Sequence, residues 1–327
     1  MKLFLVFFYL TLISIFCHAN DGINDSRSCF RGSFESHESW FAYSATKKNF
    51  NKERFLAYFP KSKFNERKDT LECVDFTYQV DGLTIEGYYL KPKQHDNKKL
   101  PLVIFNRGGN ADFGYVGFNK KMDFIADIAT HGYVVIGSQY RGASTRFIQN
   151  NGNDEFGGND VNDVIALVTL AESIPNVDSA NIALVGWSRG VMQSYLAAKK
   201  LKNVKTIVAI AGNADAEKAL AIRPEMERVY QARIPDFQSD RANQLAQRSV
   251  IKWVDRLPAD MPILLVHGSE DERVNVEQSL MLAAVLSEQA YPHKLVIFAG
   301  GNHGLDKNRS ELIELTINWL DNYLKPK

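Results

Sequence analysis

The chain has 327 residues, enough for one large α/β domain or two modest ones. Hydrophobic residues make up 45% and charged residues 24%, ordinary values for a packed globular protein. With 39 basic and 38 acidic residues the formal net charge is +1, a balance that excludes the electrostatic footprint of a nucleic-acid or anionic-membrane binder.

Met1-Lys2 is a short basic start, and residues 3–16 are almost wholly apolar. Cys17-His18-Ala19 then places small residues at the −3 and −1 positions of a cleavage site before Asn20. This layout predicts a signal peptide over 1–19, too short for a membrane span, and a secreted or periplasmic product without an integral span. Cys29 and Cys73 remain after its removal, and in an exported protein they are candidates for one disulfide tying the N-terminal extension to the first strand.

Residues 20–72 mix aromatics (Trp40, Phe41, Tyr43, Phe50, Phe55, Tyr58 and Phe59) with charges, some at helical spacing. They predict a helical extension that braces the main domain, which runs from 73 to 327. Two alternating runs, 74–80 and 83–90, flank Asp81-Gly82 and predict a β-hairpin. Apolar strands follow at 102–105, 133–136, 182–185, 206–210, 263–266 and 294–298. Helical stretches at 118–130, 160–171, 191–200, 276–288 and 310–323 fall between or after them. This alternation predicts an α/β fold of the α/β-hydrolase type, a mostly parallel sheet with helices on both faces. Residues 212–260 interrupt the pattern without a clear strand and predict a helical insertion above the carboxyl edge, where such sheets bind ligands.

Gly186-Trp187-Ser188-Arg189-Gly190 matches G-x-S-x-G between a predicted strand and a predicted helix. In such an elbow the serine hydroxyl stands exposed on a strained turn, and Gly186 and Gly190 let strand and helix approach closely. A serine needs a base, and His303, in a glycine-rich loop after the last strand, can reach over it. The acid should follow the previous strand, where Glu270, Asp271 and Glu272 compete. The order serine, acid, histidine is that of the α/β-hydrolases rather than of chymotrypsin or subtilisin.

These residues resemble the catalytic domain of the prolyl oligopeptidase family of serine peptidases, from about Cys73 to the C-terminus. His267-Gly268-Ser269-Glu270-Asp271-Glu272-Arg273-Val274 is similar to the family's H-G-x-x-D-x-x-V, and the resemblance implies Asp271 as the acid. Tyr140-Arg141-Gly142, the stretch from Asp154 to Val161, and Arg248-Ser249 are similar to other family segments. The chain departs from the family in two places. Only about 50 residues precede the first strand, where members often carry a β-propeller. Arg107 stands before Gly108 and Gly109, where relatives carry a tyrosine or histidine.

A tetrahedral intermediate needs two hydrogen-bond donors. The backbone N–H of Arg189 is one candidate, and the loop of Arg107, Gly108 and Gly109 is expected to supply the other through its backbone. Arg107 is alternatively a side-chain donor or a ligand for a substrate carboxylate. Arg223, Glu225, Glu227 and Tyr230 of the insertion are candidate polar contacts to substrate. No cofactor or metal is expected, since the histidines and cysteines lack paired ligand spacings and phosphate-binding motifs are absent. The expected activity is acyl-enzyme hydrolysis of short peptides, as the resemblance implies. Ester hydrolysis is the alternative, and an inactive binding protein on the same fold a second. Oligomeric state is not readable.

Overall fold

Strand-forming segments that lack a polar face must be covered on both sides, and this requirement organises the molecule. The computed structural model describes residues 22–326 apart from 95 and 97, so the predicted signal peptide over 1–19 lies outside the described residues. The strands are β1 (Asn24–Ser28), β2 (Leu71–Val80), β3 (Leu83–Pro92), β4 (Leu100–Asn106), β5 (Val134–Ser138), β6 (Val177–Trp187), β7 (Val204–Ile210), β8 (Ile263–Gly268) and β9 (His293–Phe298). They join in one sheet in the order β1-β2-β3-β5-β4-β6-β7-β8-β9. The first three pairings, up to β3–β5, are antiparallel, and all later ones are parallel.

Successive residues of β4 point to opposite layers. Leu102 and Ile104 pack in one core with residues of α6 (Asp160–Ala171), α7 (Arg189–Ala198) and α11 (Glu277–Glu288). Val103 and Phe105 pack in the other, with residues of α5 (Ala126–Thr130) and α12 (Arg309–Leu324). The chain order reverses around β4, because β5 lies on one side of it and β6 on the other. Such a switch point opens a crevice at the carboxyl ends of the strands, here beyond Asn106 and Trp187.

Two expectations are corrected. The extension over 20–72 is not wholly helical: it begins with β1, which pairs with β2 at the sheet edge, and β2 starts at Leu71. Its helices are α1 (His37–Ala45), α2 (Lys52–Tyr58) and α3 (Lys61–Thr70), the first two capped by Ser36 and Asn51. The predicted helix over 118–130 is broken. Between α4 (Phe118–Lys120) and α5 lies a π-helical turn, Lys121–Ile125, in which Asp123 leaves helical geometry at φ −107° and ψ −126°. The insertion is helical as expected, with α8 (Ala216–Ile222), α9 (Met226–Arg233) and α10 (Arg241–Gln247). Among the described residues no helix is long and apolar enough to cross a membrane.

The extension is held in two ways. Trp40 is buried among Phe55, Phe64 and Phe118, and its indole N–H donates to Asn119 Oδ1 at 2.9 Å. Cys29 and Cys73 form a disulfide across a separation of 44 residues. Closing a loop of that size is expected to stabilise the fold by about 2–4 kcal/mol. A Cys29→Ala/Cys73→Ala variant should lose that amount in urea denaturation. A loss below about 0.5 kcal/mol would show that the aromatic cluster alone fixes the extension.

Candidate active site

Ser188 sits between β6 and α7 with φ 57° and ψ −124°, a conformation that non-glycine residues rarely hold. Such strain costs about 1–3 kcal/mol and persists only where the surroundings over-determine it. Here the Ser188 N–H donates to Ile210 O at 2.8 Å, and its carbonyl accepts from Val191 N–H at 3.0 Å. The glycines of the elbow are sterically required. A Cβ on Gly190 would lie 1.9 Å from Asn106 O, and one on Gly186 would lie 2.5 Å from Gly190 O.

The loop after β4 closes against the serine. A Cβ on Gly108 would meet Ser188 Cβ at 3.0 Å and Oγ at 3.5 Å, so the bare backbone of Gly108 lies beside the nucleophile candidate. Gly109 has φ +81°, and a side chain there would strike Phe113 O at 2.0 Å. Among the described residues, neither Gly108 N–H nor Gly109 N–H has a hydrogen-bond acceptor. The loop therefore presents backbone N–H groups without acceptors close to Ser188.

Arg107 does not have the side-chain roles open to it in the sequence. Its guanidinium is buried and spent on carbonyls: Gln139 O at 2.9 Å, Ala111 O at 2.8 Å, Gly108 O at 3.0 Å and Phe113 O at 3.2 Å. It also stacks on Tyr140, 4.9 Å from the ring centroid. Burial pulls its pKa down to about 10, so it stays charged near neutrality. No N–H is left to reach an oxyanion or a substrate carboxylate; the side chain instead shapes the loop over 108–113.

The Arg189 side chain lies buried beneath the same loop. Nη1 donates to Asp154 Oδ2 at 2.6 Å and to Gly109 O at 3.0 Å, and Nη2 pairs with Asp160 Oδ2. Burial raises the Asp154 pKa, but Arg189 outweighs that and holds it below the usual carboxylate range. Asp154 further accepts from Ala111 N–H at 2.5 Å, and Asp160 from Gly157 N–H at 2.9 Å and from Gln193. The turn at Ser188, the loop over 107–111 and the start of α6 thus share one ion-pair network.

His303 Nδ1 lies 2.7 Å from Asp271 Oδ2, and Nε2 has no hydrogen-bond partner among the described residues. Asp271 Oδ1 accepts from Arg273 N–H at 2.8 Å and Val274 N–H at 2.9 Å, while Glu270 and Glu272 stay exposed. Burial alone would raise the Asp271 pKa. Hydrogen bonds from His267 and His303 reverse this and hold it well below the ordinary carboxylate range. His267 is a functional neighbour that sequence reasoning passed over. It is fully buried, with Nδ1 2.7 Å from Ser279 Oγ and Nε2 2.8 Å from Val274 O and 3.3 Å from Asp271 Oδ2. Only its place in the H-G-x-x-D pattern signalled it. Trp187 was likewise unassigned, and its indole N–H donates to His303 O at 3.1 Å.

Ser188 and His303 line one cavity of about 620 Å³, with Arg107, Gly108, Gly109 and Arg189 on its wall. Of the insertion candidates, Arg223 lines it and pairs with Glu225 at 2.7 Å. Glu227 pairs with Arg241 at 2.9 Å and Tyr230 is buried against Phe156; neither lines the cavity. Among the described residues no cluster of His, Cys, Asp or Glu could hold a metal.

The profile of the prolyl oligopeptidase family matches residues 118–327. An uncharacterised peptidase of Bacillus subtilis strain 168, YtmA, is 24% identical over 267 residues, covering 80% of this chain and 98% of that protein. Dipeptidyl-peptidase 5 of Porphyromonas gingivalis is 27% identical over 260 residues, covering 75% of this chain and 37% of that protein. The solved acylaminoacyl peptidase of Pyrococcus horikoshii superposes with a TM-score of 0.65 at 21% identity, covering 79% of this chain and 42% of that one. The chain therefore spans about two fifths of the solved structure and of the dipeptidyl-peptidase.

Two outcomes are expected. Arg189→Gln leaves Asp154 and Asp160 buried without their cation and should cost about 3–5 kcal/mol in chemical denaturation; a cost under 1 kcal/mol would contradict the network. Because the folded-state pKa of Asp271 is depressed, its stabilising contribution is full above the unfolded pKa of about 3.9 and fades as pH falls below it. The stability gap between wild type and Asp271→Asn should then shrink as pH falls below 4. A gap that widens as pH falls below 4 would be the contrary result.

Proposed function

The chain belongs to the prolyl oligopeptidase family, and from that premise we propose that it hydrolyses short peptides through an acyl-enzyme on Ser188. It is a serine-type peptidase by family, and the observation that carries the residue assignment is the convergence on one cavity of a strained serine, an Asp271–His303 pair and unspent loop N–H groups. Ser188 Oγ attacks the scissile carbonyl while His303 Nε2 takes its proton. Asp271, fixed by the N–H groups of Arg273 and Val274, keeps the imidazole in the Nδ1–H tautomer and stabilises the imidazolium. The oxyanion is received by the backbone N–H of Arg189 and one from the Gly108–Gly109 loop, as the N-terminus of α7 favours. His303 then protonates the leaving amine, and water repeats the sequence on the acyl-enzyme.

A short-peptide substrate is supported by the relatives' names and by a cavity of about 620 Å³, within the usual size of small-ligand sites. Ester hydrolysis is the second reading, favoured by the apolar part of the wall, including Phe113, Phe156, Met192, Ile222 and Met226. Export is proposed as well: the N-terminal apolar leader supports it, and so does the Cys29–Cys73 bridge, a feature of oxidising compartments. A panel of aminoacyl-arylamides and short p-nitrophenyl esters tests the reading. Amide turnover that falls at least ~10³-fold in Ser188→Ala is expected. Ester turnover without amide turnover would overturn the peptidase reading and leave the esterase.

A further inference from the structure

The charges lining the cavity are unequal in a way the acyl-transfer chemistry does not require. Among the described residues, Asp123 is the only carboxylate on the wall, and it is matched by Arg309 at 3.4 Å. The wall also carries Arg107, Lys120, Arg189, Arg223, Arg248 and Arg273. Arg223 is neutralised by Glu225, and Arg189 by Asp154 and Asp160. Arg107 and Arg248 are buried against carbonyls: Arg248 Nε donates to Phe156 O at 2.6 Å and Nη2 to Glu155 O at 3.0 Å. Carbonyl dipoles satisfy hydrogen bonds but leave the charge in place, and a low-dielectric wall carries its field into the cavity.

Two cations at the cavity are accessible and lack a carboxylate. Lys120 Nζ donates only to Gly114 O, at 2.7 Å. Its pKa is drawn down to about 8, by partial burial first and by Arg107 second. Arg273 is exposed, and its side chain has no partner among the described residues. It stands two residues from Asp271 on the turn whose N–H groups hold that carboxylate, so its backbone is anchored beside the Asp271–His303 pair. Among the described residues, no pair of free carboxylates lines the cavity to receive an ammonium group.

We propose that this site selects substrates carrying a carboxylate near the scissile bond, held by Arg273 and Lys120, and disfavours a free ammonium there. The proposal rests on the hydrolase reading of Ser188, and it deepens that reading by assigning the charge of the substrate. An acidic side chain and a carboxylated acyl group offer the same chemistry, and the test separates them.

Matched substrates with one scissile bond and one leaving group would be compared as arylamides and as p-nitrophenyl esters. One arm contrasts Glu with Gln and Lys at the position preceding the scissile residue, and the other contrasts succinyl with butyryl acyl groups. In at least one arm, kcat/KM for the anionic member should exceed that of its neutral match by about tenfold and of any cationic member by more. The preference should shrink when NaCl rises from 20 to 200 mM, as steering by exposed charges does. Arg273→Gln and Lys120→Gln should each lower the anionic-to-neutral ratio by about threefold or more, and the double variant should abolish it. Equal or better turnover of the cationic substrate, or a preference that survives in the double variant, would overturn the proposal. If only the esters react but show the charge preference, the peptidase reading fails and the charge assignment stands.

Discussion

A guanidinium withdrawn from water costs several kcal/mol unless carboxylates and carbonyls replace its solvent, and Arg189 bears that cost directly beside Ser188. Its partners come from three places that have no other reason to meet: Gly109 after β4, Asp154 in the loop after β5, and Asp160 at the start of α6. Because a buried charge cannot be left unmatched, the turn at Ser188, the Gly108–Gly109 loop and α6 adopt one mutual arrangement. Arg107, which shares the Tyr140 ring with Arg189, gathers the carbonyls of Gln139, Ala111 and Phe113 around its own guanidinium. The strain at Ser188 and the bare backbone at Gly108 are both consequences of segments held this close.

The acid–base side is fixed by different means. The turn over 268–271 is zipped to the histidine loop by Ser269 N–H to Phe298 O and Glu270 N–H to Gly301 O, each 2.9 Å, and by Gly300 N–H to Ser269 Oγ at 2.8 Å. A side chain on Gly268 would strike Gly301 O at 2.2 Å, so the two loops lie in backbone contact. Asp271 and His303 therefore keep their pairing without help from the insertion, which shapes the cavity wall instead. Variation in that wall can change what is bound while leaving the pairing undisturbed.

Much of this arrangement was legible in the sequence, because the elbow, the last two strand ends and the parallel-sheet alternation are local patterns. Ser188 and His303 follow from their places after strands. Asp271 did not, since Glu270 and Glu272 offer the same chemistry at the same distance along the chain, and only the family pattern and then the backbone donors of the turn separate them. Edge strand β1 was missed because Asn-Asp-Ser-Arg-Ser has no apolar alternation and becomes a strand only by pairing with β2. The π-turn at 121–125 keeps a helical hydrophobic pattern while its hydrogen bonding shifts, so periodicity reads straight through it. The roles of Arg107 and Arg189 depend on partners tens of residues away, and a charged residue in a glycine-rich loop gives no sign that it will be buried.

Everything functional in this account depends on His303 activating Ser188 in the folded protein, and intact-mass analysis after exposure to an alkyl fluorophosphonate reads that directly. A single adduct is expected that maps to the peptide containing Ser188, is absent from Ser188→Ala and from denatured protein, and forms at least ~10²-fold more slowly in His303→Gln. No adduct in the folded wild type, or an adduct on another residue, would contradict it.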